Sequence, residues 1–273
     1  MNFRHLMKVT RRILRGNYPA YTRLYAFVTY WRLILYAILY YKVKYRTNDS
    51  LQENIFGYRV RFHSYSELLN LFEEIFIFEV YRHQKENVTL IIDAGSNIGL
   101  SVIYFRMMFP DAEISAFEPE DKNFELLVEN VQYNKISNIS TNKLALGKTD
   151  QYLQLSPGAV GSLNWTLRQV SDPPGPSQTV TTVRLSQLIK RNVSLLKMDI
   201  EGFEVEVLED LADSHKLKLI SSIIFEYHPT LAPKTHQAML NLLEANNFEV
   251  KNTSSIHNLG TELITHAYRR KAE

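Results

Sequence analysis

From residue 51 onward, short apolar runs alternate with amphipathic stretches. Runs rich in β-branched and aromatic residues predict strands at 56–62, 90–93, 113–118, 138–144, 194–199 and 220–227, and near Glu249 and Leu263. Apolar positions at helical spacing predict helices at 64–80, 98–109, 121–133, 186–191, 203–211 and 234–246. Strands that alternate with helices are typical of a doubly wound α/β fold, a mostly parallel sheet with both faces covered. No helix separates the last two strands, which predicts an antiparallel final strand.

The first fifty residues depart from this pattern. Residues 24–41 are apolar or aromatic almost throughout and contain neither proline nor glycine, so they predict a helix. Residues 1–50 contain ten Lys or Arg and a single acid, Asp49, whereas residues 51–273 contain 21 basic and 28 acidic side chains. We therefore expect a basic, aromatic helical arm at 1–50 and an α/β domain at 51–273.

Three interpretations of the arm stay open. Apolar residues surround the predicted helix, which indicates burial on most sides, against the body or against a second copy in a homo-oligomer. The tyrosines and basic residues of 18–45 would also suit peripheral contact with a membrane surface. A true span is at the short limit of length and would place Arg32 inside the bilayer. The basic residues interleave with aliphatic ones and no DNA-reading motif accompanies them, so we expect no nucleic-acid partner.

The composition excludes several chemistries. Hydrophobic residues make up 45% of the 273 positions, enough to bury a large core. There is no cysteine, which excludes disulfides, a thiol nucleophile and cysteine-ligated zinc. This composition fits a reducing compartment, so we expect a cytoplasmic protein whose association with membranes depends on the arm.

Acidic residues mark the ends of several predicted strands. Asp93, Glu118, Asp199 and Glu226 each fall at a strand end, and Ala145 follows another strand. In a doubly wound sheet the carboxyl ends of the strands border one crevice, where ligands bind. We therefore expect these residues to converge on a single site.

The segment after the strand at 90–93 predicts the ligand. It reads DAGSNIG (93–99), in which two glycines permit a tight turn and close backbone approach. A dinucleotide fingerprint requires glycine at the middle position, where this chain has Asn97. The acid Asp93 before the turn suits a positively charged methionine group better than a pyrophosphate. Glu118 lies about 25 residues further on, near the spacing of an acid that binds ribose hydroxyls. Together these features favour S-adenosylmethionine.

A second block repeats the arrangement. The segment LLKMDIEGFE (195–204) is an apolar strand with Asp199 at its tip, followed by a glycine and a helix. The next strand runs into Glu226 and His228, which face the same side because side chains alternate along a strand.

In this order, IDAGSNIG (92–99), FEP (117–119), ALG (145–147), KMDIEGFE (197–204) and FEYHP (225–229) resemble the FkbM-type methyltransferases over about residues 55–268. The resemblance implies a class I, seven-stranded methyltransferase fold that methylates a hydroxyl of a sugar, glycan or secondary metabolite. It also implies positions for the cofactor. The methionine end would lie at Asp93, Gly95, Ser96, Asn97 and Gly99, the ribose at Glu118 and the adenine beside Ala145.

The same residues suggest how transfer would proceed. A sulfonium methyl is already activated, so the protein has to align it with the acceptor and remove a proton. His228 is the first candidate base because an unperturbed histidine titrates near neutrality, and a structural role at the strand end is the alternative. Asp199 could act as base or hold the donor's ammonium group, and Glu226 would assist. Together with Glu201, these three would also permit a divalent cation such as magnesium, although carboxylates at strand ends often only bind donor and acceptor.

Two other classes of protein are alternatives, a nicotinamide-dependent oxidoreductase and a binding module without catalytic activity. In a nicotinamide-dependent oxidoreductase, the missing middle glycine and the second acidic block would be anomalous. In a catalytically inert, membrane-tethered binding module, the strand-end carboxylates and His228 would have no role.

Overall fold

The computed structural model describes residues 3–16, 18–43, 51–83, 87–149, 151–156, 166–168, 178–229, 235–253 and 263–270. Its helices are α1 (Phe3–Arg15), α2 (Ala20–Val43), α3 (Tyr65–Phe72), α4 (Leu100–Met108), α5 (Asp121–Tyr133), α6 (Leu185–Leu188), α7 (Glu204–Asp213) and α8 (His236–Ala245). Its strands are β1 (Leu51–Ile55), β2 (Tyr58–Phe62), β3 (Leu90–Ala94), β4 (Glu113–Phe117), β5 (Ile139–Asn142), β6 (Ala145–Gly147), β7 (Gln151–Ser156), β8 (Thr166–Arg168), β9 (Gln178–Arg184), β10 (Leu195–Met198), β11 (Ser222–Tyr227), β12 (Phe248–Thr253) and β13 (Leu263–Arg269). A π-helical segment, Glu73–Ile77, continues α3, and a 3₁₀ turn spans Leu217–Leu219.

Seven strands form the central sheet, in the order β12-β13-β11-β10-β3-β4-β5. The pairings from β11 through β5 are parallel, whereas β13 is antiparallel to both β11 and β12. The doubly wound α/β fold and the antiparallel final strand are therefore confirmed. Strand order reverses between β3 and β10, so a crevice opens beyond the carboxyl ends of these two strands.

The two central strands are buried on both faces. Every side chain of β3 and β10 is buried, which is typical of parallel strands covered by helices on each side. Ile91 and Leu195 pack into the layer that contains α4 and α5, whereas Ile92 packs into the layer that contains α7 and α8. Two of these buried side chains are charged, Asp93 and Lys197, and they are Cα partners across the two strands.

The segment predicted as one strand at 56–62 is instead the second half of a hairpin. β1 pairs with β2 in antiparallel register, with Ile55 opposite Tyr58. The two turn residues, Phe56 and Gly57, have φ values of 50° and 88°, which is the left-handed geometry of a two-residue hairpin turn. The prediction missed β1 because its polar residues gave no apolar run.

Two further boundaries were wrong. The helix predicted at 64–80 is α-helical only to Phe72 and then widens into the π-helical segment. The strand predicted at 138–144 ends at Asn142, and Ala145–Gly147 belongs to a separate four-stranded sheet of order β6-β9-β7-β8. Local patterns did not predict this second sheet, because its strands pair with partners outside their own segments of the chain.

The arm folds onto the body. Helix α2 packs against α3, and α1 packs against α2 and the π-helical segment. Tyr30 and Leu33 of α2 have no exposed surface and belong to the same apolar cluster as Phe72. Arg32 forms an ion pair with Glu53 of β1 at 3.0 Å, so it is not a lone charge within an apolar segment. Among the helices in the described ranges, none is both long and apolar enough to cross a membrane.

Leu33→Ala tests the docking of the arm. The change removes a fully buried side chain between α2 and the body, so we expect the free energy of unfolding to fall by about 2–5 kcal/mol. Leu35→Ala is the matched control, because Leu35 is 53% exposed and should change stability by no more than about 0.5 kcal/mol. Urea unfolding followed by circular dichroism measures both, and equal effects would contradict the packing.

Candidate active site

The crevice beyond β3 and β10 encloses about 890 Å³, part of it open to solvent. Six residues predicted as site residues line it: Gly95, Ser96, Asn97, Glu118, Ala145 and Asp199. Glu201 lines it as well. Four other predicted residues are not among the lining residues: Asp93, Gly99, Glu226 and His228. The structure therefore brings six of the ten predicted site residues together at one crevice.

Gly95 brings the turn after β3 against the end of β10. Its φ of 77° favours glycine, and a Cβ at this position would overlap the carbonyl oxygen of Asp199. The backbone amides of Gly95 and Ser96 both donate to the carbonyl of Phe117, at 2.9 Å, which ties the turn to β4. The turn therefore contacts both neighbouring strands, and a larger residue at position 95 would separate them.

Gly99 acts one layer below the crevice. It precedes α4 with a φ of 88°, and a Cβ there would lie 2.8 Å from Cδ1 of Leu127 in α5. The start of α4 and the middle of α5 thus approach each other closely. Gly99 therefore packs inside the wall of the crevice and does not itself line the crevice.

Glu118 lies at the end of β4, across the crevice from Asp199. Its carboxylate accepts hydrogen bonds from the backbone amides of Asn97 and Glu120, each at 2.9 Å. Burial raises the pKa of Glu118 from 4.5 to about 7, although these two amide bonds act in the opposite direction. The group therefore changes between acid and carboxylate near neutral pH.

Asp93 lies beneath the crevice with no exposed surface. One carboxylate oxygen accepts a 2.6 Å hydrogen bond from the Ser101 hydroxyl, and the other lies 3.2 Å from Nζ of Lys197. Lys197 also donates to the carbonyls of Ala94 and Gly95, at 3.2 and 2.6 Å. The predicted direct contact between Asp93 and the methionine ammonium does not fit this placement, because Lys197 already pairs with its charge and itself lines the crevice.

Several carboxylates meet His228 beyond β10 and β11. His228 is only 4% exposed, and its Nε2 lies 3.5 Å from Glu201 and 3.9 Å from Asp199. Its Nδ1 lies 3.6 Å from Glu204, a fully buried carboxylate that accepts hydrogen bonds from two backbone amides at 2.8 and 3.0 Å. The imidazole therefore lies among three acids, two of which reach the crevice.

This environment does not suit the base role predicted for His228. Burial acts to lower the pKa of His228, but the carboxylates of Glu204, Asp199 and Glu201 outweigh it and raise the pKa from 6.5 to about 10. The imidazole is consequently a cation at neutral pH and has no free nitrogen to accept a proton. Of the candidate bases, Asp199 is the one that lines the crevice, with 27% of its side chain exposed.

Asp199, Glu226 and His228 each offer a ligand atom within 4.8 Å of the other two. The two carboxylate oxygens suit magnesium or manganese, whereas the imidazole nitrogen is a ligand that zinc, iron or nickel prefers. Glu201, also predicted as a ligand, is not part of this group and faces His228 instead. A metal would have to displace the proton of the imidazolium, since both supply positive charge to the same carboxylates.

Tyr81 is a site residue that the sequence analysis missed. It follows the π-helical segment, lines the crevice, and donates its hydroxyl to Asp199 Oδ2 at 3.1 Å. Burial is the main cause that raises its pKa well above 10, so it remains a donor. Nothing in the local sequence marks Tyr81, whereas Lys197 could have been found as the one cation inside an apolar strand.

The strand order and the crevice define a class I methyltransferase fold. The family model described as the methyltransferase FkbM domain matches residues 93–250, more than half of the chain. The chain belongs to the FkbM methyltransferase family, as the sequence motifs predicted.

Two curated relatives and one solved structure extend this finding. The chain is 29% identical over 160 residues to Methyltransferase 1 of Beauveria bassiana (strain ARSEF 2860), a match that covers 50% of this chain and 64% of that protein. It is 27% identical over 171 residues to Methyltransferase sdnD of Sordaria araneosa, covering 50% and 65%. The chain thus matches less than two thirds of either relative. The structure of methyltransferase FkbM from Methylobacillus flagellatus KT shares the fold, with a TM-score of 0.52, 12% identity and coverage of 75% of this chain and 53% of that one.

Gly95→Ala tests the contact between the turn and β10. The added methyl would overlap the Asp199 carbonyl, so we expect binding of S-adenosylhomocysteine, measured by calorimetry, to weaken at least about 100-fold. Gly57→Ala is the control, because Gly57 has a similar φ of 88° but no atom near its Cβ position. It should cost about 1–2 kcal/mol of stability and leave binding unchanged. Equal binding losses in both variants would refute the contact.

His228→Gln tests the charge state of the imidazole. The pKa of His228 is higher in the folded protein, so its stabilising effect is complete below about pH 6.5 and disappears as the pH rises through 10. We expect the variant to be about 3 kcal/mol less stable at pH 6, with the difference shrinking toward pH 10. Urea unfolding in buffer with EDTA measures this, with exposed His63→Gln as control. A difference that does not change with pH would contradict a cationic His228.

Proposed function

We propose that this chain transfers the methyl group of S-adenosylmethionine to a hydroxyl group of a small-molecule or glycan acceptor. The observation that carries the proposal is the crevice at the reversal of strand order. The Gly95 turn, Glu118 and two partly exposed carboxylates, Asp199 and Glu201, line it. Membership of the FkbM methyltransferase family supports the donor.

The residues around the Gly95 turn fit the cofactor chemically. Gly95, Ser96 and Asn97 would hold the methionine portion, Glu118 the ribose, and Ala145 the adenine. The missing Cβ at Gly95 lets the turn lie against the end of β10, which keeps the turn at the edge of the crevice. When bound, the cofactor supplies a methyl group already activated by a sulfonium. Glu118 in its carboxylate form would accept hydrogen bonds from ribose hydroxyls, in addition to those from the two backbone amides.

Asp199 is the residue that would take the proton. As the new carbon–oxygen bond forms, the acceptor hydroxyl becomes strongly acidic, so a carboxylate is a sufficient base at this stage. Tyr81 donates to Oδ2 of Asp199 and thereby fixes the orientation of the carboxylate, leaving Oδ1 on the side of His228. The proton then leaves Asp199 for solvent through the open side of the crevice.

His228 is a positioning residue in this scheme. As an imidazolium it holds Asp199 and Glu201 near each other at the rim of the crevice and offsets their repulsion. A divalent cation would perform the same electrostatic task. We therefore propose that transfer does not require added magnesium.

Asp199→Asn tests the proposed base. The amide keeps the shape of the side chain but accepts no proton, so we expect methyl transfer to slow by about 100-fold or more. The measurement is transfer of tritiated methyl from S-adenosylmethionine to a panel of monosaccharides, oligosaccharides and hydroxylated metabolites. Binding of S-adenosylhomocysteine by calorimetry should change by less than about fivefold, which separates the chemical step from cofactor binding.

The control is Asp213→Asn, the same chemical change at an exposed position of α7, which should retain full activity. Activity should also persist in EDTA without added metal. Failure of wild-type protein to bind S-adenosylmethionine would refute the donor. Transfer only to amine-bearing acceptors would refute O-methylation, and full activity of Asp199→Asn would refute its role as base.

A further inference from the structure

The outer face of the arm carries a continuous apolar stripe. On α2 six side chains spaced alternately three and four residues apart are exposed: Tyr21, Leu24, Val28, Trp31, Leu35 and Ile38. This spacing places them along one side of the helix, opposite Tyr30 and Leu33, which pack on the body. The helix is therefore apolar on two opposite sides, and among the described residues the body covers the inner side while the outer side is exposed.

The arm holds most of the exposed apolar side chains of the protein. In the described part of the chain, ten of thirteen large exposed hydrophobic side chains lie on α1 and α2. Phe3, Met7 and Leu14 are the three on α1. A concentration of this kind marks a surface that binds something apolar, since isolated exposed hydrophobic residues are spread over most proteins.

Basic side chains accompany these apolar residues. Helix α1 carries five exposed cations, Arg4, Lys8, Arg11, Arg12 and Arg15, and residues 1–48 contain no acid. Three of these cations, together with Phe3 and Met7, line a shallow concavity on the surface of α1. Apolar and cationic groups are thus adjacent on the same helix, as in helices that lie on membrane surfaces.

We propose that the arm docks on a bilayer that contains anionic lipids. Lipid phosphates would contact the cations of α1, and the apolar stripe of α2 would enter the boundary between head groups and acyl chains. Trp31 and Tyr21, which combine an apolar ring with a polar atom, suit this boundary. Charge favours a lipid surface over a second copy of the chain as the binding partner of the arm. A symmetric pairing of two arms would bring together helices that carry only positive charge.

The position of the arm gives this docking a consequence for the crevice. The inner face of α2 packs on α3, and Leu71 of α3 and Ile75 of the π-helical segment line the crevice. Docking would thus hold the crevice close to the lipid surface, separated from it by the arm.

Vesicle flotation of the full chain tests the proposal. We expect binding to vesicles of equal parts phosphatidylcholine and phosphatidylglycerol, and at least about tenfold weaker binding to phosphatidylcholine alone. Arg11→Gln with Arg15→Gln should weaken binding to the anionic vesicles about thirtyfold, from roughly fivefold per lost cation. Trp31→Ser with Leu35→Ser should weaken it about tenfold or more. All four positions are exposed, so the fold should persist in each variant.

Matched controls remove equivalent groups from the body. Lys190→Gln with Lys218→Gln removes two exposed cations, and Tyr133→Ser with Leu188→Ser removes two exposed apolar side chains, and both should bind like wild type. Equal binding of wild type to neutral and anionic vesicles, or equal losses in arm and body variants, would overturn the proposal. So would a dimer in sedimentation velocity that dissociates on Trp31→Ser with Leu35→Ser, because the stripe would then be an interface between copies.

Discussion

The contact between the turn at Gly95 and the carbonyl of Asp199 is the constraint on which the rest of the site depends. It exists only because residue 95 has no Cβ, and it brings the ends of β3 and β10 together where the strand order reverses. Lys197 closes the same junction by donating to the carbonyl of Gly95, 102 positions earlier in the chain. The carboxylates that border the crevice are positioned by this junction or by a neighbouring strand.

Charge compensation is the second condition for such a site. An ion taken out of water is costly unless partners of opposite charge or hydrogen-bond donors replace the water. Asp93 has Lys197 and Ser101 as partners, and Glu204 has two backbone amides and the cation of His228. These buried charges are thus already paired, whereas Asp199 and Glu201 present partly exposed carboxylates to the crevice. The raised pKa of His228 follows from the same arrangement.

Helix α2 illustrates how composition and burial can differ. An apolar residue on every side of a helix indicates that most of its surface is covered. Here the body covers one side, through Tyr30 and Leu33, and the opposite side remains exposed. The composition of the helix shows that both sides are apolar. The packed structure shows which side stabilises the fold and which side is exposed.

The sequence by itself determined the fold class and most of the crevice. Apolar runs ending in Asp93, Glu118 and Asp199 are local signals, and the rules for parallel sheets convert them into one site without further information. The tertiary structure alone decided which residues touch the crevice, because that depends on partners distant in the chain. Lys197 pairs with Asp93 beneath the crevice, and three carboxylates surround His228 and raise its pKa. Tyr81 enters it only through the packing of the π-helical segment, and the second sheet forms only through long-range pairing. Local sequence patterns indicate burial and periodicity. A charge state or a contact instead depends on two groups that come together only when the chain folds.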